Sequence, residues 1–240
     1  MNFATYLINL DRATERLAAM ETQLKQLELP YTRIPAVLGN TLEEPIDGFD
    51  ERAYNIRTGK QRNLGEIGCY FSHLKVMEAF LETAADHALV LEDDAVLPKE
   101  LISLLESSLP HQDTWDLLRL SSSRNGKFRV ITQLDETYQL AINTRVLKNT
   151  AAYMVNRRAA KSILTHLRPM KRPYDVALDR DWSMGIRTGC ITPFPVQLDD
   201  VPGQIPKAPR IRLYRSTTFH FFHLLYRIAR ARYRRNLSAS

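Results

Sequence analysis

Three consecutive carboxylates, Glu92, Asp93 and Asp94, directly follow the apolar run at residues 88–91. Repulsion among adjacent acids must be offset by positive charge, and a divalent metal ion, a hard cation that takes oxygen ligands, supplies it. Side chains two residues apart lie on one side of an extended backbone, so Glu92 and Asp94 are predicted to bind one ion together while Asp93 faces elsewhere. The alternative interpretation is an acidic turn that caps the next helix.

Arg16 and His73 are two further candidate binding residues. Arg16 lies near the start of a predicted helix, and its guanidinium group has the geometry to bind phosphate oxygens. His73 lies two helical turns after Glu66, so these two side chains share a face of their helix. The alternatives are a solvated helix face for Arg16 and a structural role for His73.

The segments that position these residues alternate between strand and helix patterns. Residues 3–10 predict a strand, residues 12–29 a helix and residues 31–37 a second strand, which is the spacing of a crossover in a parallel α/β sheet. Residues 64–85 predict a helix. Residues 87–92 predict a buried central strand with the acids at its carboxyl end, where open α/β sheets bind ligands. The other predicted elements are a loop at 39–63, helices at 98–109 and 157–167, and strands at 115–120, 128–131, 138–141, 151–155 and 191–197.

The composition excludes several classes of protein. The chain has 240 residues, of which 44% are hydrophobic, too many for a disordered chain. Its two cysteines, Cys69 and Cys190, form neither a disulfide framework nor a zinc cluster, which favours a reducing compartment. The first residues lack the pattern of a signal peptide, and there is no run of about 18 apolar residues to span a bilayer. A cytoplasmic protein is therefore expected.

Basic charge is concentrated at the carboxyl end of the chain. From Lys207 onward the sequence has nine basic residues and no acidic one, whereas the preceding part has 24 basic and 27 acidic residues. A mildly acidic body argues against a nucleic-acid partner. We predict one domain over residues 1–200, followed by a linker and a basic amphipathic tail over residues 201–240.

The tail has the pattern of a helix that lies on a membrane surface. Residues 210–235 are predicted to bind anionic lipid, because arginine and large apolar side chains fall on opposite sides of such a helix. A nucleic-acid-binding arm and a docking helix for a partner enzyme are the alternatives. The apolar side comprises Phe221, Leu224, Leu225 and Ile228, and the basic side comprises Arg227, Arg230 and Arg234.

Five segments follow one another in an order and spacing that resemble a known family. They are YLINLDRATER at 6–16, GEIGCYFSH at 65–73, VLEDDA at 90–95, WDLLRL at 115–120 and PYD at 173–175. Over residues 3–200 the sequence resembles glycosyltransferase family 25, which includes bacterial lipooligosaccharide galactosyl- and glucosyltransferases and animal collagen galactosyltransferases. The resemblance implies an α/β, GT-A-like fold with a mostly parallel central sheet that binds a nucleotide sugar.

The resemblance also implies roles for single residues. The acids at 92–94 take the place of an Asp-x-Asp metal motif, with Glu in its first position. Asp94 and Glu92 are then the ligands of Mn²⁺ or Mg²⁺, and Asp93 binds ribose or sugar hydroxyl groups. The other binding residues implied are Asn9 and Arg16 at the nucleotide and His73 beside the sugar or the acids.

The family is regarded as inverting, and an inverting transfer needs a base that deprotonates the acceptor hydroxyl group. Asp175 is implied in this role, or as an acceptor anchor, because it occupies the Pro-x-Asp position. Asp179 shares its face if the segment is helical, Asp181 points away, and Trp182 has a ring that can stack on a sugar. The alternative is an exposed acidic helix whose partners are Arg172, Arg180 and Arg187.

The function expected from the resemblance is transfer of a hexose, galactose before glucose, from a UDP-sugar to a lipooligosaccharide or lipopolysaccharide acceptor. The enzyme is expected on the inner face of a bacterial inner membrane, and deletion of residues 207–240 is expected to leave activity on soluble acceptors. The alternatives are a UDP-glucose-dependent glucosyltransferase of the same family, a metal-dependent phosphohydrolase and a non-enzymatic membrane- or RNA-binding adaptor.

Overall fold

The structure, a computed structural model, describes residues 2–199 and 208–239, with side chains up to residue 233. Its strands are β1 (Phe3–Asn9), β2 (Thr32–Pro35), β3 (His87–Glu92), β4 (Ala95–Val96), β5 (Leu117–Arg119), β6 (Phe128–Gln133), β7 (Gln139–Asn143), β8 (Ala152–Asn156), β9 (Thr188–Thr192) and β10 (Gln197–Leu198). Its helices are α1 (Thr14–Gln26), α2 (Glu51–Thr58), α3 (Leu64–Leu81), α4 (Leu101–Ser108), α5 (Arg157–His166), α6 (Tyr174–Leu178), α7 (Asp181–Met184), α8 (Arg212–Ser216) and α9 (Thr218–Ala239).

A large sheet in the order β2-β1-β3-β8-β5-β9-β7-β6 forms the centre of the domain, and β4 pairs with β10 in a separate ribbon. Within the large sheet every described strand runs in the same direction except β7 and β8. β1 lies between β2 and β3 and is parallel to both, so the carboxyl ends of these three strands meet at one end of the sheet. The predicted α/β class with a mostly parallel central sheet is therefore confirmed.

Strand β3, which precedes the three acids, is buried on both faces. Ala88 and Val90 belong to the core beneath α3 and α5, whereas Leu89 and Leu91 belong to the core beneath α1 and α4. Because successive side chains of a strand point to opposite faces, a strand covered on both sides has apolar residues at every position. Each buried leucine contributes about 2 kcal/mol, so this packing fixes the place where the acids emerge.

The segment 39–63, which was expected to be a loop, contains helix α2. The Asp50 side chain caps the amino end of α2 by accepting a hydrogen bond from the backbone N–H of Ala53 at 2.9 Å, and Gly59 ends the helix with a φ of 65°. Tyr54 is its one buried residue. A helix with so little apolar surface has no stripe by which the sequence pattern could predict it.

The described part of the predicted tail packs against the domain. The Thr218 hydroxyl group donates to the carbonyl oxygen of Ile56 at 2.8 Å, and Tyr226 and Arg230 are buried. Arg230 faces the domain, whereas Arg227 and the apolar row of α9 are exposed. Residues 200–207, with most of the predicted linker, lie outside the described residues. No helix in the described part of the chain is long and apolar enough to cross a membrane.

Gly68 on α3 allows the helix to approach the segment that follows β2. A Cβ atom at this position would lie 2.3 Å from the carbonyl oxygen of Val37 and 2.9 Å from the backbone nitrogen of Gly39. We expect Gly68→Ala to lower the free energy of unfolding by about 2 kcal/mol, measured by urea unfolding, because backbone atoms must move apart. Helix propensity alone would raise it by up to about 1 kcal/mol, so an unchanged or stabilised variant contradicts the close approach.

Candidate active site

Two adjoining cavities open at the carboxyl ends of β1 and β3. The larger has a volume of about 540 Å³ and lies between the end of β1, the start of α3 and the acids at 92–94. The smaller, about 280 Å³, lies between the acids, the segment before β8 and the start of α6. Cys69, Glu92 and Asp94 line both cavities. The acids therefore stand at the junction of two pockets.

The three acids are placed by the end of β3 and by the ribbon that follows it. Ile8 of β1 pairs with Glu92, so Asn9 and Asp93 come next to each other beyond the paired region. The backbone N–H of Asp199, at the end of β10, donates to the carbonyl oxygen of Asp94 at 2.9 Å.

Asp93 is held by the two residues that were predicted to bind the nucleotide. The Asn9 amide group donates to Asp93 Oδ2 at 2.8 Å, and Arg16 Nη1 lies 3.2 Å from Asp93 Oδ1. Asn9 is buried, and its Oδ1 accepts a hydrogen bond from Arg33 Nε at 3.1 Å. The structure thus brings Asn9, Arg16 and Asp93 together at the larger cavity, and Asn9 holds the Asp93 carboxylate by a hydrogen bond. Direct nucleotide contacts of these residues stay a prediction.

Glu92 is oriented by His73 and Thr150. Its Oε1 lies 3.2 Å from His73 Nε2 and accepts a hydrogen bond from the Thr150 hydroxyl group at 2.8 Å. Burial alone would raise the pKa of Glu92, but the hydrogen bonds from His73 and Thr150 outweigh it and lower the pKa. Glu92 is therefore ionised at neutral pH.

His73 itself is fully buried between aromatic rings. Its Nδ1 lies 2.9 Å from the Tyr153 hydroxyl group, and its ring stacks on Tyr174 with 4.3 Å between centroids. Its hydrogen bonds go to protein atoms on both ring nitrogens, so the side chain orients Glu92 from beneath the cavity. This supports the interpretation of His73 as a residue beside the acids.

Asp94 is the acid with an unsatisfied oxygen. Its Oδ1 is buried without a hydrogen-bond partner among the described residues. Burial, together with the charges of Glu92 and Asp93, raises the pKa of Asp94 to about 6. A bound cation would satisfy this oxygen and relieve the repulsion, so the donor set of Asp94 and Glu92 fits a hard divalent metal ion.

A second group of potential metal ligands overlaps with this one. The ligand atoms of Cys69, His73 and Glu92 lie within 4.8 Å of one another. However, His73 is engaged at both nitrogens, and burial raises the pKa of the Cys69 thiol, which keeps it protonated. Because a thiol binds metals as the thiolate, this trio is a poorer site than the carboxylates.

Asp175, the predicted base, lies in the smaller cavity with Glu92 and Asp94. It is in the first turn of α6, where its Oδ1 accepts a hydrogen bond from the backbone N–H of Val176 at 2.7 Å. Its Oδ2 accepts another from the backbone N–H of Asn149 at 3.4 Å. The fold thus brings together two acidic sites that are more than 80 residues apart in the sequence.

The expectation of an exposed acidic helix is wrong for Asp179 and Asp181, since both side chains are buried. Asp179 pairs with Arg230 of α9, and Trp182 packs on Tyr226 with 5.5 Å between ring centroids. The tail covers this side of α6 and α7. Trp182 therefore contacts the tail and does not line either of the two cavities.

Sequence reasoning gave no role to Arg119, Asn149 or Thr150. Arg119 is buried, and its guanidinium group donates to the carbonyl oxygen of Asn149. Asn149 has a φ of 74°, and Thr150 reaches Glu92. One signal was visible, namely an arginine within the apolar strand at 115–120, because a buried charge needs a partner.

Comparison with known proteins gives a family. The model of glycosyltransferase family 25, described as an LPS biosynthesis protein, matches residues 2–178. A glycosyltransferase 25 family member from Aedes aegypti is 25% identical over 66% of this chain and 27% of that protein. Procollagen galactosyltransferase 1 from Danio rerio is 23% identical over 70% of this chain and 29% of that protein. An inactive family member 3 from Mus musculus is 27% identical over 48% of this chain and 21% of that protein.

This chain therefore spans less than a third of the length of these relatives. Among solved structures, A197 of STIV is similar with a TM-score of 0.41 at 11% identity, over 86% of this chain and 98% of that chain. A glycosyltransferase involved in glycosylation of the major capsid of PBCV-1 has a TM-score of 0.32 at 11% identity, over 70% of this chain and 66% of that chain. These structural likenesses are too distant to indicate a shared activity. The family match covers most of the chain, which belongs to glycosyltransferase family 25.

Proposed function

We propose that the protein is a metal-dependent glycosyltransferase that moves a hexose from a UDP-sugar to a glycan acceptor. The observation that carries this proposal is the junction of two cavities at Glu92 and Asp94. The larger cavity has the size for a nucleotide, and the smaller holds Asp175. A transferase needs such an arrangement, because donor and acceptor must meet at the atom where the bond changes. A phosphohydrolase has no use for the second cavity.

On the donor side, Asp94 and Glu92 are proposed to hold the metal ion. When bound, a divalent cation neutralises the negative charge that develops on the departing nucleoside diphosphate. Arg16 lines the same cavity, and while one of its nitrogens pairs with Asp93, its other N–H groups are proposed to bind phosphate oxygens. Asp93, fixed by Asn9 and Arg16, is proposed to accept hydrogen bonds from ribose or sugar hydroxyl groups.

On the acceptor side, Asp175 is proposed to act as the general base. It accepts the proton of an acceptor hydroxyl group, whose oxygen bonds to the anomeric carbon as the bond to the diphosphate breaks. The electron pair of that bond leaves with the UDP, and attack from the opposite face inverts the anomeric configuration. The hydrogen bonds from the Asn149 and Val176 backbone amides support this role because they fix the carboxylate orientation.

Galactose from UDP-galactose and a lipooligosaccharide or lipopolysaccharide acceptor are the proposed substrates. The LPS biosynthesis description of the family supports the acceptor, and relatives named procollagen galactosyltransferases support the sugar. UDP-glucose is the alternative donor, since it differs from UDP-galactose only in the configuration of one hydroxyl group. A lipid-linked acceptor places the proposed reaction at the inner face of a bacterial inner membrane.

The exposed row of α9 is proposed to bind that membrane surface. Large apolar side chains rarely form a continuous exposed row without a partner. Residues 208–239 contain no acidic side chain, so the row lies in a positively charged segment that suits anionic lipid. The exposed fractions are 58% for Phe221, 55% for Leu224, 45% for Leu225 and 41% for Ile228.

The metal and nucleotide site is tested by Asp94→Ala. In the wild-type protein we expect UDP and Mn²⁺ together to raise the thermal midpoint by roughly 5 °C at about a hundred times the Kd, because the ligands bind only the folded state. We expect the variant to lose this rise, whereas Glu136→Ala, which removes an exposed acid, keeps it. ADP with Mn²⁺ serves as the nucleotide control. A wild-type protein that no uridine nucleotide stabilises is incompatible with the proposal.

The base is tested by Asp175→Asn, which keeps the shape of the side chain and removes its charge. Transfer from UDP-galactose to deacylated lipooligosaccharide is measured by UDP release above the rate without acceptor. We expect kcat to fall by about a hundredfold or more, while the Kd for UDP with Mn²⁺ changes by less than about twofold. Asp47→Asn, at an exposed acid, is the control. An unchanged kcat in Asp175→Asn would exclude this residue as the base.

The membrane surface is tested by the double variant Phe221→Ser, Leu224→Ser. We expect its partition onto phosphatidylglycerol vesicles, measured by sedimentation, to fall by about tenfold or more, because two apolar side chains no longer enter the lipid. The control is Val130→Ser, which removes a similarly exposed apolar side chain (49% exposed) from β6. We expect this variant to bind the vesicles as the wild-type protein does. Equal binding by both variants would argue against the apolar row of α9 as the lipid contact.

A further inference from the structure

A buried ion pair joins the carboxyl-terminal helix to the domain. Arg230 Nη1 of α9 lies 2.7 Å from Asp179 Oδ2, and the two side chains are only 7% and 6% exposed. The Tyr226 hydroxyl group donates to the same carboxylate oxygen. Removing either charge alone would leave the other buried without its partner, so the contact is an integral part of the fold and not a loose surface contact.

This ion pair holds the segment 145–150 at two backbone positions. Asp179 Oδ1 accepts a hydrogen bond from the backbone N–H of Leu147 at 3.2 Å. Arg230 Nη2 donates to the carbonyl oxygen of Arg145. Asp179 also directly follows α6, and its own backbone N–H donates to the carbonyl oxygen of Asp175 at 3.2 Å. Asp179 therefore contacts both the segment 145–150 and α6, which line the smaller cavity together with the acids.

The far end of the same segment contacts the acids. The Asn149 backbone N–H donates to Asp175 Oδ2, and the Thr150 hydroxyl group donates to Glu92 Oε1. Asn149 and Thr150 line the smaller cavity together with Asp175 and Glu92. The segment 145–150 is thus hydrogen-bonded to Arg230 and Asp179 at its first residues and to Asp175 and Glu92 at its last residues.

We propose that Arg230 and Asp179 are positioning residues of the acceptor side, which hold the segment 145–150 so that the Asn149 backbone N–H orients Asp175. This inference rests on the proposed function. Helix α9 then has two functions on different faces. Its apolar row contacts lipid, and the face that carries Arg230 fixes the wall of the acceptor cavity. The inference also leads to the opposite expectation for deletion of residues 207–240, namely loss of transfer even to soluble acceptors.

The test compares Arg230→Met with Arg52→Met in the 240-residue protein. Both variants remove an arginine from a helix, but Arg52, in α2, is exposed. In Arg230→Met we expect amide hydrogens at 145–151 to exchange about tenfold faster or more, because the segment opens more often once Arg230 no longer holds the carbonyl oxygen of Arg145. We expect the KM for deacylated lipooligosaccharide to rise by about tenfold, while the Kd for UDP with Mn²⁺ stays within about twofold because Glu92 keeps its contact with His73. Arg52→Met should match the wild type in all three measurements.

Selective loss at the acceptor side separates positioning from general stability, which would change nucleotide binding and exchange throughout the domain. If the folded Arg230→Met protein exchanges its amide hydrogens at 145–151 at the same rate as the wild type, the inference is overturned. It is also overturned if the variant loses UDP binding and acceptor binding to the same extent. If Arg230→Met does not fold, Asp179→Asn with Arg230→Met removes both buried charges and is judged by the same criteria. If the wild-type protein transfers no sugar, the proposed function fails, and the exchange at 145–151 still decides whether the ion pair orders the cavity wall.

Discussion

Repulsion among three adjacent carboxylates at the end of a buried strand is the constraint around which this structure is organised. Each acid is treated differently by the surrounding fold. Asp93 is neutralised by Arg16 and held by Asn9, and Glu92 is kept ionised by His73 and Thr150. Asp94 keeps a buried oxygen without a partner among the described residues, and its burial, together with the charges of Glu92 and Asp93, raises its pKa. The unsatisfied acid is the one that a cation would bind.

The way the sheet is built explains why these partners meet. β1 and β3 are parallel neighbours, so the polar residues that follow them emerge side by side at one end of the sheet. β8 runs antiparallel to β3, which brings the residues before β8, Asn149 and Thr150, to the same end. His73 approaches from α3 beneath the cavity, and its two hydrogen bonds and its stacking on Tyr174 leave it little freedom. Hydrogen bonds and packing thus fix the acids in place before any ligand binds, as electrostatic preorganisation requires.

The carboxyl-terminal helix connects two properties that the sequence presents separately. Its apolar row is exposed, whereas Tyr226 and Arg230 on its other face are buried against Asp179. A helix that only anchored the protein would need no buried ion pair, and a helix that only completed the core would not expose four large apolar side chains. The burial of Asp179 follows from the same contact, since without α9 this carboxylate would lie at the surface of the domain.

The sequence by itself determined the family, the α/β class, the central strand and the acids that follow it, because apolar periodicity and adjacent charges are local properties. It indicated Asp175 only through the order of the family segments, whereas the spacing of His73 from Glu66 also placed His73 on a helix face shared with an acid. Helix α2 was missed because its single buried residue, Tyr54, leaves no apolar stripe. Tertiary structure decided three other features. These are the different partners of the three acids, the burial of Asp179 and Asp181, and the contacts of residues 145–150. Each of these depends on a partner many residues away, and only the packing of the chain determines which distant groups meet and which of them lose water.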